Sequence, residues 1–400
     1  MPALEGHRAD MTKNVVVGSS YLWRDNAKVG LHFFCEHLLR QGCRLDWFTV
    51  PLSLLHLAKP RVARIKRRYL RQSRHPRWES LGEGRIINHV PLTAVHPIPG
   101  WPILGGDWVG RNHLRLRWPS LAALARHAGI EPIDLLLFDC GGVELYRAFG
   151  RRARKTVYRI SDFVHEFPNQ VPARSELERQ IIREADVLIL VNYTMRDEVL
   201  RVRGHDRGVH VLSNGGEFER FSKPAPLPDI YRSIPEPRAV YLGSKSSWFD
   251  WELLSGTARL LPEVSFCILG HGSVPSNLPD NVHDLGSRPH DMVPGFMQHA
   301  SVGLIPYRNL PRIRRVTRPL KYYEYLASGL PIVSTPHGHL KDMAPHARFG
   351  ADAPSFARAI REALAAGPPD REELAAAVAS YSWDRIQARF QAILVEEGVL

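Results

Sequence analysis

The sequence predicts an α/β fold with two domains, each built on a parallel sheet that helices cover on both faces. The chain has 400 residues, which is more than one ordinary domain holds. Short apolar runs alternate with helical patterns along most of it, as in sheets of this kind. The alternation occurs in two series, and a proline-rich stretch at residues 222–238 separates them.

The apolar runs predict where the strands lie. In the first series they lie at residues 14–18, 45–50, 135–138, 156–158, 187–191 and 209–212, and in the second at 239–243, 265–270, 302–305 and 331–334. We therefore expect a first domain over residues 11–221, an interdomain linker over 222–238 and a second domain over 239–382. Apolar residues recur at helical spacing from Trp383 onward, so residues 383–400 are expected to form an amphipathic helix that packs back on the first domain.

Composition narrows the class of protein. Hydrophobic residues make up 44% of the chain and charged residues 24%, which is typical of a folded protein. No apolar run reaches the roughly 18 to 20 residues that span a bilayer, and no secretory signal is visible, so a cytoplasmic protein is expected. The four scattered cysteines suggest neither a zinc site nor a disulfide framework. The net charge of +12 favours a polyanionic partner, which includes nucleic acid, anionic lipid and phosphorylated substrates.

The strongest local motif covers residues 318–335 and predicts a helix followed by a buried strand. The N–H groups of its first turn, beside Arg318 and Lys321, suit a diphosphate. Glu324 lies one turn after Lys321, where a carboxylate can accept hydrogen bonds from ribose hydroxyls. The alternative is a solvated Lys321–Glu324 ion pair. The position next to a strand of an α/β sheet, where ligands collect, favours the ligand site.

Other residues of the second domain follow strands at the same expected edge of the sheet. Gly243, Ser244 and Lys245 end or follow one strand, and Tyr307 follows another. We predict that all four border a ligand cleft, with Tyr307 stacking on a base. Ordinary strand-to-helix turns and a half-buried tyrosine are the alternatives.

Asp162 follows a short strand of the first domain. A carboxylate at that place would face the interdomain cleft, where it can take a proton from an acceptor hydroxyl. Capping a following helix is the alternative for Ser161 and Asp162. Arg159 is expected either to orient the carboxylate or to meet an anionic group of the substrate, with a surface position as its alternative.

Gly18, Ser19 and Ser20 follow the first strand and precede a helical pattern that contains His32. The segment lacks GxGxxG, so it does not favour a nicotinamide dinucleotide. A glycine turn beside the cleft also permits the close approach of a substrate. His32 is kept as a candidate cleft residue, with a core or capping histidine as the alternative.

The sequence predicts neither a metal site nor a cofactor. It contains no Asp-x-Asp pair to hold Mg²⁺ or Mn²⁺, and its 19 histidines form no HExxH pattern. Positive side chains and helix N-termini would therefore have to neutralise a leaving diphosphate.

An acid-free basic segment extends from Lys59 to Arg77 and carries nine lysines and arginines. Interleaved apolar residues predict a basic amphipathic helix on an anionic membrane surface. The residues expected at the membrane are Arg64, Lys66, Arg67, Arg68 and Arg71. The alternatives are a solvated helix face and RNA, but no RNA-binding module is present, so no nucleic acid partner is expected.

Several motifs together resemble glycosyltransferases of the GT-B type, in which the parallel sheets of two Rossmann-like domains face each other across a cleft. The likeness is closer to the membrane-associated β-glucuronosyltransferases of xanthan assembly and spans about residues 13–336. The motifs are Gly18-Ser-Ser20 with Leu31-His-Phe33, Val157-Tyr-Arg-Ile-Ser-Asp162, Asn214-Gly-Gly-Glu-Phe-Glu-Arg-Phe221, Gly243-Ser244 with Phe249-Asp250, and the Pro-Leu-Lys segment at 319–333.

The resemblance implies an inverting enzyme in which Asp162 is the general base, Lys321 holds the diphosphate of a UDP-sugar and Glu324 lies near the nucleoside. The retaining pattern of two glutamates would need an acid at Val316, so a retaining mechanism is disfavoured. Lys245 and the insertion that follows it depart from the glucuronosyltransferase pattern, which leaves the donor sugar open.

We therefore expect metal-independent transfer of a sugar, with glucuronic acid as the candidate, from a UDP-sugar donor to a lipid-linked oligosaccharide acceptor. The enzyme would act in exopolysaccharide biosynthesis as a peripheral protein on the inner face of the plasma membrane. One alternative is a non-catalytic GT-B-like protein that binds a nucleotide sugar or scaffolds an assembly. The other is a UDP-sugar epimerase, which needs no acceptor.

Overall fold

The computed structural model describes residues 13–24, 28–57, 67, 69–72, 75–98, 100–117, 120–167 and 170–400. The chain divides into two compact units. The first contains the residues up to Leu212 together with Arg389–Leu400, and the second contains Ser213–Ala388. The division therefore lies before residue 221, where the sequence predicts the end of the first domain.

The first unit is built on one eight-stranded sheet. Its strands are β1 (Asn14–Ser19), β2 (Arg44–Thr49), β4 (Trp78–Leu81), β5 (Gly84–His89), β7 (Ile133–Asp139), β8 (Ala153–Ile160), β9 (Val187–Leu190) and β10 (Val209–Val211), while β3 (Leu52–Ser53) and β6 (Leu92–Thr93) pair separately. The order in the large sheet is β10-β9-β8-β7-β1-β2-β5-β4, and only β4 and β5 pair antiparallel. The central strands are apolar runs because helices cover both faces of the sheet.

Seven helices of the first unit are described in these ranges: α1 (Gly30–Arg40), α2 (Leu54–Leu57), α3 (Asp107–Asn112), α4 (Leu121–His127), α5 (Leu145–Phe149), α6 (Pro172–Glu184) and α7 (Arg196–Arg203). Short 3-10 helices lie at His113–Leu116, Val164–Glu166 and Tyr193–Met195. Helix α6 buries Leu177 and Ile181 in the same core as Phe138 and Tyr158 of the sheet. The core of this unit therefore lies directly beneath the strands whose carboxyl ends carry the predicted site residues.

The second unit is a six-stranded parallel sheet. Its strands are β11 (Arg238–Leu242), β12 (Ser265–Leu269), β13 (Val282–Gly286), β14 (Val302–Ile305), β15 (Ile332–Ser334) and β16 (Ala347–Phe349). They follow the order β13-β12-β11-β14-β15-β16, which is that of a Rossmann fold. The helices are α8 (Phe218–Ser222), α9 (Trp251–Leu260), α10 (Val293–Gln298), α11 (Pro311–Arg314), α12 (Leu320–Ala327), α13 (Ala353–Ala366) and α14 (Arg371–Ala379), with 3-10 helices at Asp229–Ser233 and Gly338–Met343. The last helix, α15 (Trp383–Glu396), begins in this unit and ends in the first.

The proline-rich segment at 222–238 differs from its prediction as an irregular linker. It belongs to the second unit and contains the 3-10 helix at Asp229–Ser233. Tyr231 is fully buried, and its phenol donates to the carbonyl of Phe296 at 3.2 Å. The guanidinium of Arg238 donates to the carbonyl of Tyr231 at 2.9 Å. These contacts anchor the segment to its own unit in spite of its prolines.

The end of the chain packs within the first unit. The ring of Phe390 in α15 lies 4.4 Å from that of Phe34 in α1. The side chain of Gln391 lies within hydrogen-bond distance of His37, at 3.2 Å, and that of Glu397 lies 2.6 Å from His210. The apolar spacing in this helix therefore serves a contact with α1. Among the described residues, no helix is both long enough and apolar enough to cross a membrane.

Candidate functional site

The strand order of the second unit defines where a ligand binds. The chain leaves β11 toward one edge of the sheet and leaves β14 toward the other, so a crevice forms at the carboxyl ends of these two neighbouring strands. Gly243 follows β11 and Tyr307 follows β14. Two predicted site residues thus lie at the switch point of the sheet.

Lys321 reaches the same place from the first turn of α12, for which Pro319 is the N-cap. Its ammonium donates to the phenol oxygen of Tyr307 and lies 4.8 Å from the centre of that ring and 5.3 Å from the ring of Tyr241. An ammonium over aromatic faces is held by the ring quadrupole. The structure therefore brings Lys321 and Tyr307 together, and the ammonium is not used in a solvated pair with Glu324.

Gly243 makes room for this arrangement. Its φ is +146°, and a Cβ there would lie 3.0 Å from the Tyr241 hydroxyl and 3.4 Å from Nζ of Lys321. The Tyr241 hydroxyl also donates to the carbonyl of Ser244 at 2.9 Å, which closes the turn. The backbone after β11 can therefore approach the lysine closely only because residue 243 is a glycine.

Glu324 is half-buried one turn after Lys321. Burial raises the pKa of its carboxyl group, and the nearby charges of Lys321, His290 and Arg220 act in the opposite direction. His290 lies 2.8 Å from a carboxylate oxygen of Glu217. Glu324 thus belongs to a group of charged side chains beside Lys321. Its contact with a nucleoside stays a prediction.

The structure corrects the prediction for Lys245. Its side chain is buried, and its Nζ lies 2.5 Å from a carboxylate oxygen of Asp284 in β13. The backbone of residue 245 pairs with Gly272. Lys245 is therefore engaged in an internal ion pair. Ser244, next to it, is half-buried, and its hydroxyl lies 2.6 Å from that of Ser246.

Arg318 is also held within the second unit. Its Nη1 donates to the hydroxyl of Tyr381 at 2.8 Å, and its Nη2 donates to the carbonyl of Asp342 at 3.1 Å. The guanidinium lies 5.6 Å from the ring of Tyr381. Contact between Arg318 and a diphosphate stays a prediction.

In the first unit the corresponding switch point lies between β1 and β7. Gly18 and Gly142 touch there, since a Cβ on Gly142 would lie 2.4 Å from the carbonyl carbon of Gly18. The hydroxyl of Ser19 donates to Asp139 at 3.0 Å, and the N–H of Gly141 donates to the same carboxylate at 2.8 Å. The predicted turn at residues 18–20 is therefore fixed by the end of β7.

Asp139 was missed by the sequence analysis. It is buried, and burial raises the pKa of its carboxyl to about 6. A signal was present, because an acid closes the apolar run at 135–138 two residues before a Gly-Gly pair. Its serine partner lies 120 residues earlier in the chain, so the hydrogen bond itself was not visible in the sequence.

Asp162 lies half-buried two residues beyond the end of β8. The N-cap of the following 3-10 helix is Phe163, so Asp162 does not hold the N-cap position that was its alternative. Arg159 is near enough for the carboxylates of Asp162 and Asp139 to raise its pKa, against the burial that lowers it to about 10. Asp162 therefore stands at a strand end beside a buried positive charge.

Arg159 is only 2% exposed, which excludes the surface alternative and direct contact with a substrate in this arrangement. Its Nη1 donates to the hydroxyl of Ser161 at 2.6 Å, and its guanidinium lies 5.0 Å from the ring of Phe34. Of its two predicted roles, orientation of the Asp162 segment fits this burial.

His32 is corrected from a cleft residue to a buried capping residue. It is 1% exposed. The N–H of Val29 donates to its Nδ1 at 3.2 Å, so its Nε2 is the donor to the carbonyl of Leu22 at 3.0 Å. Burial lowers the pKa of the ring, which stacks on Trp23. Both ring nitrogens are therefore used by the backbone.

Glu178 of α6 was also missed, and it supports the segment after Asp162. It is buried and accepts hydrogen bonds from the Tyr158 hydroxyl at 2.6 Å and from the N–H of Val164 at 2.9 Å. Burial raises the pKa of its carboxyl to about 7. The carboxylate thus joins β8, α6 and the 3-10 helix that follows Asp162.

A cavity of about 440 Å³ opens beside the switch point of the first unit. Ser20, Cys140 and Gly141 are among the residues that line it. The rings of His56 and His96, which also line it, stack with their centres 4.0 Å apart. The cavity joins the predicted Gly18–Ser20 turn to a larger, mixed apolar and polar space.

Two further predictions concern the basic segment and metals. Arg64, Lys66 and Arg68 lie outside the described residues, while Arg67 and Arg71 are exposed. In the part of the chain that the structure describes, no group of three or more histidine, cysteine or acidic side chains is placed to hold a metal ion. Cofactor use stays a prediction.

Comparison with known proteins agrees with the two units. Residues 17–191 match the family described as "Glucuronosyltransferase GumK, N-terminal domain", and residues 237–379 match "Glycosyl transferases group 1". Among solved structures, sucrose-phosphate synthase of Thermosynechococcus elongatus aligns with a TM-score of 0.67 and 15% identity over 96% of this chain and 99% of that one. HepE of Anabaena, solved with UDP and glucose, gives 0.62 and 13% over 96% and 100%. These likenesses establish the fold.

Two curated relatives are similar in sequence. The putative teichuronic acid biosynthesis glycosyltransferase TuaH of Bacillus subtilis is 27% identical over 215 residues, or 50% of each chain. The UDP-glucuronate:glycolipid 2-beta-glucuronosyltransferase of Xanthomonas campestris is 29% identical over 211 residues, or 50% of this chain and 48% of that one. The chain spans about half the length of the curated relatives it matches. Its fold is of the GT-B type, with residues 17–191 similar to the GumK N-terminal domain and residues 237–379 similar to group 1 glycosyltransferases.

Proposed function

We propose that the protein transfers a sugar from a UDP-sugar to a saccharide hydroxyl, with inversion at the anomeric carbon and without a metal ion. The observation that carries the proposal is the Lys321 ammonium at the switch point of the second unit. Its hydrogen-bond partner there is the phenol oxygen of Tyr307 rather than a carboxylate, so its positive charge can meet a bound anion. A UDP diphosphate beside the first turn of α12 would meet both this charge and the helix N-terminus.

Asp162 would act on the acceptor as general base. In a single displacement, its carboxylate accepts the hydroxyl proton as the acceptor oxygen bonds to the anomeric carbon and the bond to the UDP oxygen breaks. UDP departs with the electron pair of that bond, and Lys321 stabilises the charge that develops on it. Arg159 is buried near enough to Asp162 for the two charges to interact.

Glucuronic acid is the donor sugar we propose, because the Xanthomonas relative is by its name a UDP-glucuronate enzyme. The name of that relative gives a glycolipid as its acceptor, which supports a lipid-linked saccharide here. The exposed Arg67 and Arg71 support peripheral attachment to an anionic membrane on the inner face, with transfer in exopolysaccharide assembly.

A panel of nucleotide sugars tests this function. The purified chain is heated with UDP, UDP-glucuronic acid, UDP-glucose and GDP-mannose, and then incubated with each donor and a glycolipid acceptor. The proposed donor at a hundred times its dissociation constant should add about 2.7 kcal/mol of stability. Transfer should require the acceptor, and NMR of the product should show the inverted anomer. Interconversion of UDP-sugars without acceptor would identify an epimerase instead, and binding without turnover a silent protein.

Metal independence has its own test. Transfer should be equal in EDTA and in added Mg²⁺ or Mn²⁺, because Lys321 and the α12 N-terminus carry the positive charge. Strong inhibition by EDTA that Mg²⁺ reverses would contradict this part of the proposal. Lys321→Met should weaken UDP binding in either condition.

A further inference from the structure

A buried phenol lies between the two strands that form the crevice of the second unit. Strands β11 and β14 pair at Val240 with Gly303. Closer to their carboxyl ends, the hydroxyl of Tyr325 in α12 joins them. It accepts a hydrogen bond from the N–H of Leu242 at 3.2 Å. Its proton is shared between the carbonyls of Val240 in β11 and Leu304 in β14, each also at 3.2 Å. A side chain of the helix thus bridges the two strands at the base of the crevice.

The hydroxyl of Tyr325 is not needed for packing. The side chain is fully buried, and burial raises the pKa of the phenol well above its usual value, so the hydroxyl keeps its proton. A buried hydroxyl costs free energy unless it is hydrogen-bonded, whereas a phenylalanine ring would fill the same space without a polar atom. The hydroxyl therefore serves the bonds to the two strands.

Gly303 makes room for the ring between the strands. A Cβ on this glycine would lie 2.6 Å from both Cγ and Cδ2 of Tyr325. These atoms are at the base of the ring and cannot move aside unless the helix moves as well. The position of α12 against the crevice is therefore fixed by shape as well as by hydrogen bonds.

Lys321 extends from the same face of α12 as Tyr325. The two residues are four positions apart, which places them one turn apart on one side of the helix, about 6 Å along its axis. Tyr325 is bonded to the strands themselves, whereas the Lys321 ammonium meets Tyr307, which follows β14. The depth at which Tyr325 is held thus determines how far the ammonium reaches along the crevice.

We propose that Tyr325 is a positioning residue, whose hydroxyl between β11 and β14 sets the place at which Lys321 meets the diphosphate of the donor. The inference rests on the proposed function, because it requires Lys321 to bind that diphosphate. Since the Tyr325 side chain is fully buried, it acts through Lys321 and not on the substrate itself.

Calorimetric titration with UDP tests this role in a double-mutant cycle of Tyr325→Phe and Lys321→Met. Tyr325→Phe keeps the ring beside Gly303 but removes the hydrogen bonds to the strands. It should weaken UDP binding about tenfold in the otherwise unaltered chain. In the Lys321→Met chain it should weaken UDP binding by less than about twofold, because the ammonium through which it acts is gone. A merely structural role would give the same loss in both chains.

Tyr322→Phe is the matched control on the same helix. Tyr322 is also buried, but its hydroxyl donates to the carbonyl of Met343 at 3.3 Å and not to either strand. This variant should bind UDP as the unaltered chain does. Gly303→Ala disturbs the Tyr325 contact from the side of β14. It should weaken UDP binding as Tyr325→Phe does, and again much less in the Lys321→Met chain.

Two results would overturn the proposal: unchanged UDP affinity in Tyr325→Phe, or an equal loss of affinity with and without Lys321. Failure of the donor site itself gives a different pattern, in which Lys321→Met binds UDP as tightly as the unaltered chain. That pattern would contradict the proposed function and, with it, the role of Tyr325. A large loss in Lys321→Met beside normal binding in Tyr325→Phe would contradict the role of Tyr325 alone.

Discussion

Glu178 offers a prediction whose size follows from the structure. Its carboxyl lies in the core of the first unit, where burial raises its pKa from an ordinary value of 4.5 to about 7. The folded state therefore keeps the proton between about pH 4.5 and 7 while the unfolded state loses it. Stability falls as pH rises through this window. Each tenfold change in proton affinity corresponds to about 1.4 kcal/mol, so the ionised carboxylate lowers the free energy of unfolding by about 3 kcal/mol above pH 7.

Glu178→Gln should remove this effect. The glutamine oxygen can still accept from the N–H of Val164, and its amide can donate to the Tyr158 oxygen once that hydroxyl rotates. The variant should be more stable than the unaltered chain by about 3 kcal/mol at pH 8 and by about 1 kcal/mol at pH 5. With an m-value of about 3 kcal/mol per M, the urea midpoint of the first unit should rise by about 1 M at pH 8.

Urea unfolding at the two pH values checks this result, with Glu176→Gln as the control on the same helix. The Glu176 side chain is 60% exposed and pairs only at the surface, so its loss should change the midpoint little at either pH. Equal destabilisation of Glu178→Gln at pH 5 and at pH 8 would refute the reasoning. It would mean that Glu178 is ionised in the folded state at both pH values and that its charge stabilises the fold. Turnover should survive in Glu178→Gln and fall in Glu178→Ala, which releases the segment after Asp162.

Three other substitutions test the second unit. Gly243→Ala should weaken UDP binding at least tenfold in calorimetric titrations, because its Cβ would crowd the ammonium of Lys321. The control is Gly286→Ala, since Gly286 also has a positive φ but has open space around it. Lys245→Met and Asp284→Asn should each lower the urea midpoint, because each breaks the internal ion pair. The UDP affinity of both variants should stay within about threefold of that of the unaltered chain. A large loss of UDP affinity in Lys245→Met alone would mean that the lysine leaves Asp284 to hold the donor.

The sequence predicts best those strands in which consecutive residues are buried, because they appear as uninterrupted apolar runs. The core strands β1, β7 and β11 are apolar runs, and each was predicted within about two residues. Strand β4 was not predicted, because the alternating residues of Trp78–Leu81 at a sheet edge give no such run.

The site was predictable as far as strand ends locate ligands. Lys321 and Tyr307 were both expected at the edge where they meet. The partner of a charged side chain often lies far away in the chain and is therefore not visible in the local sequence. This is why the predictions for other site residues were wrong or missing. Lys245 pairs with Asp284, and His32 makes a hydrogen bond with the carbonyl of Leu22. Asp139 was not identified for the same reason.

The most direct test of the account is the rate of sugar transfer by Asp162→Asn in a single turnover with bound UDP-sugar and acceptor. Asparagine keeps the shape of the side chain but cannot accept the proton, so the rate should fall by roughly two to four orders of magnitude while UDP affinity stays the same. A rate within a few-fold of that of the unaltered chain, at equal UDP affinity, would contradict the assignment of Asp162 as the base.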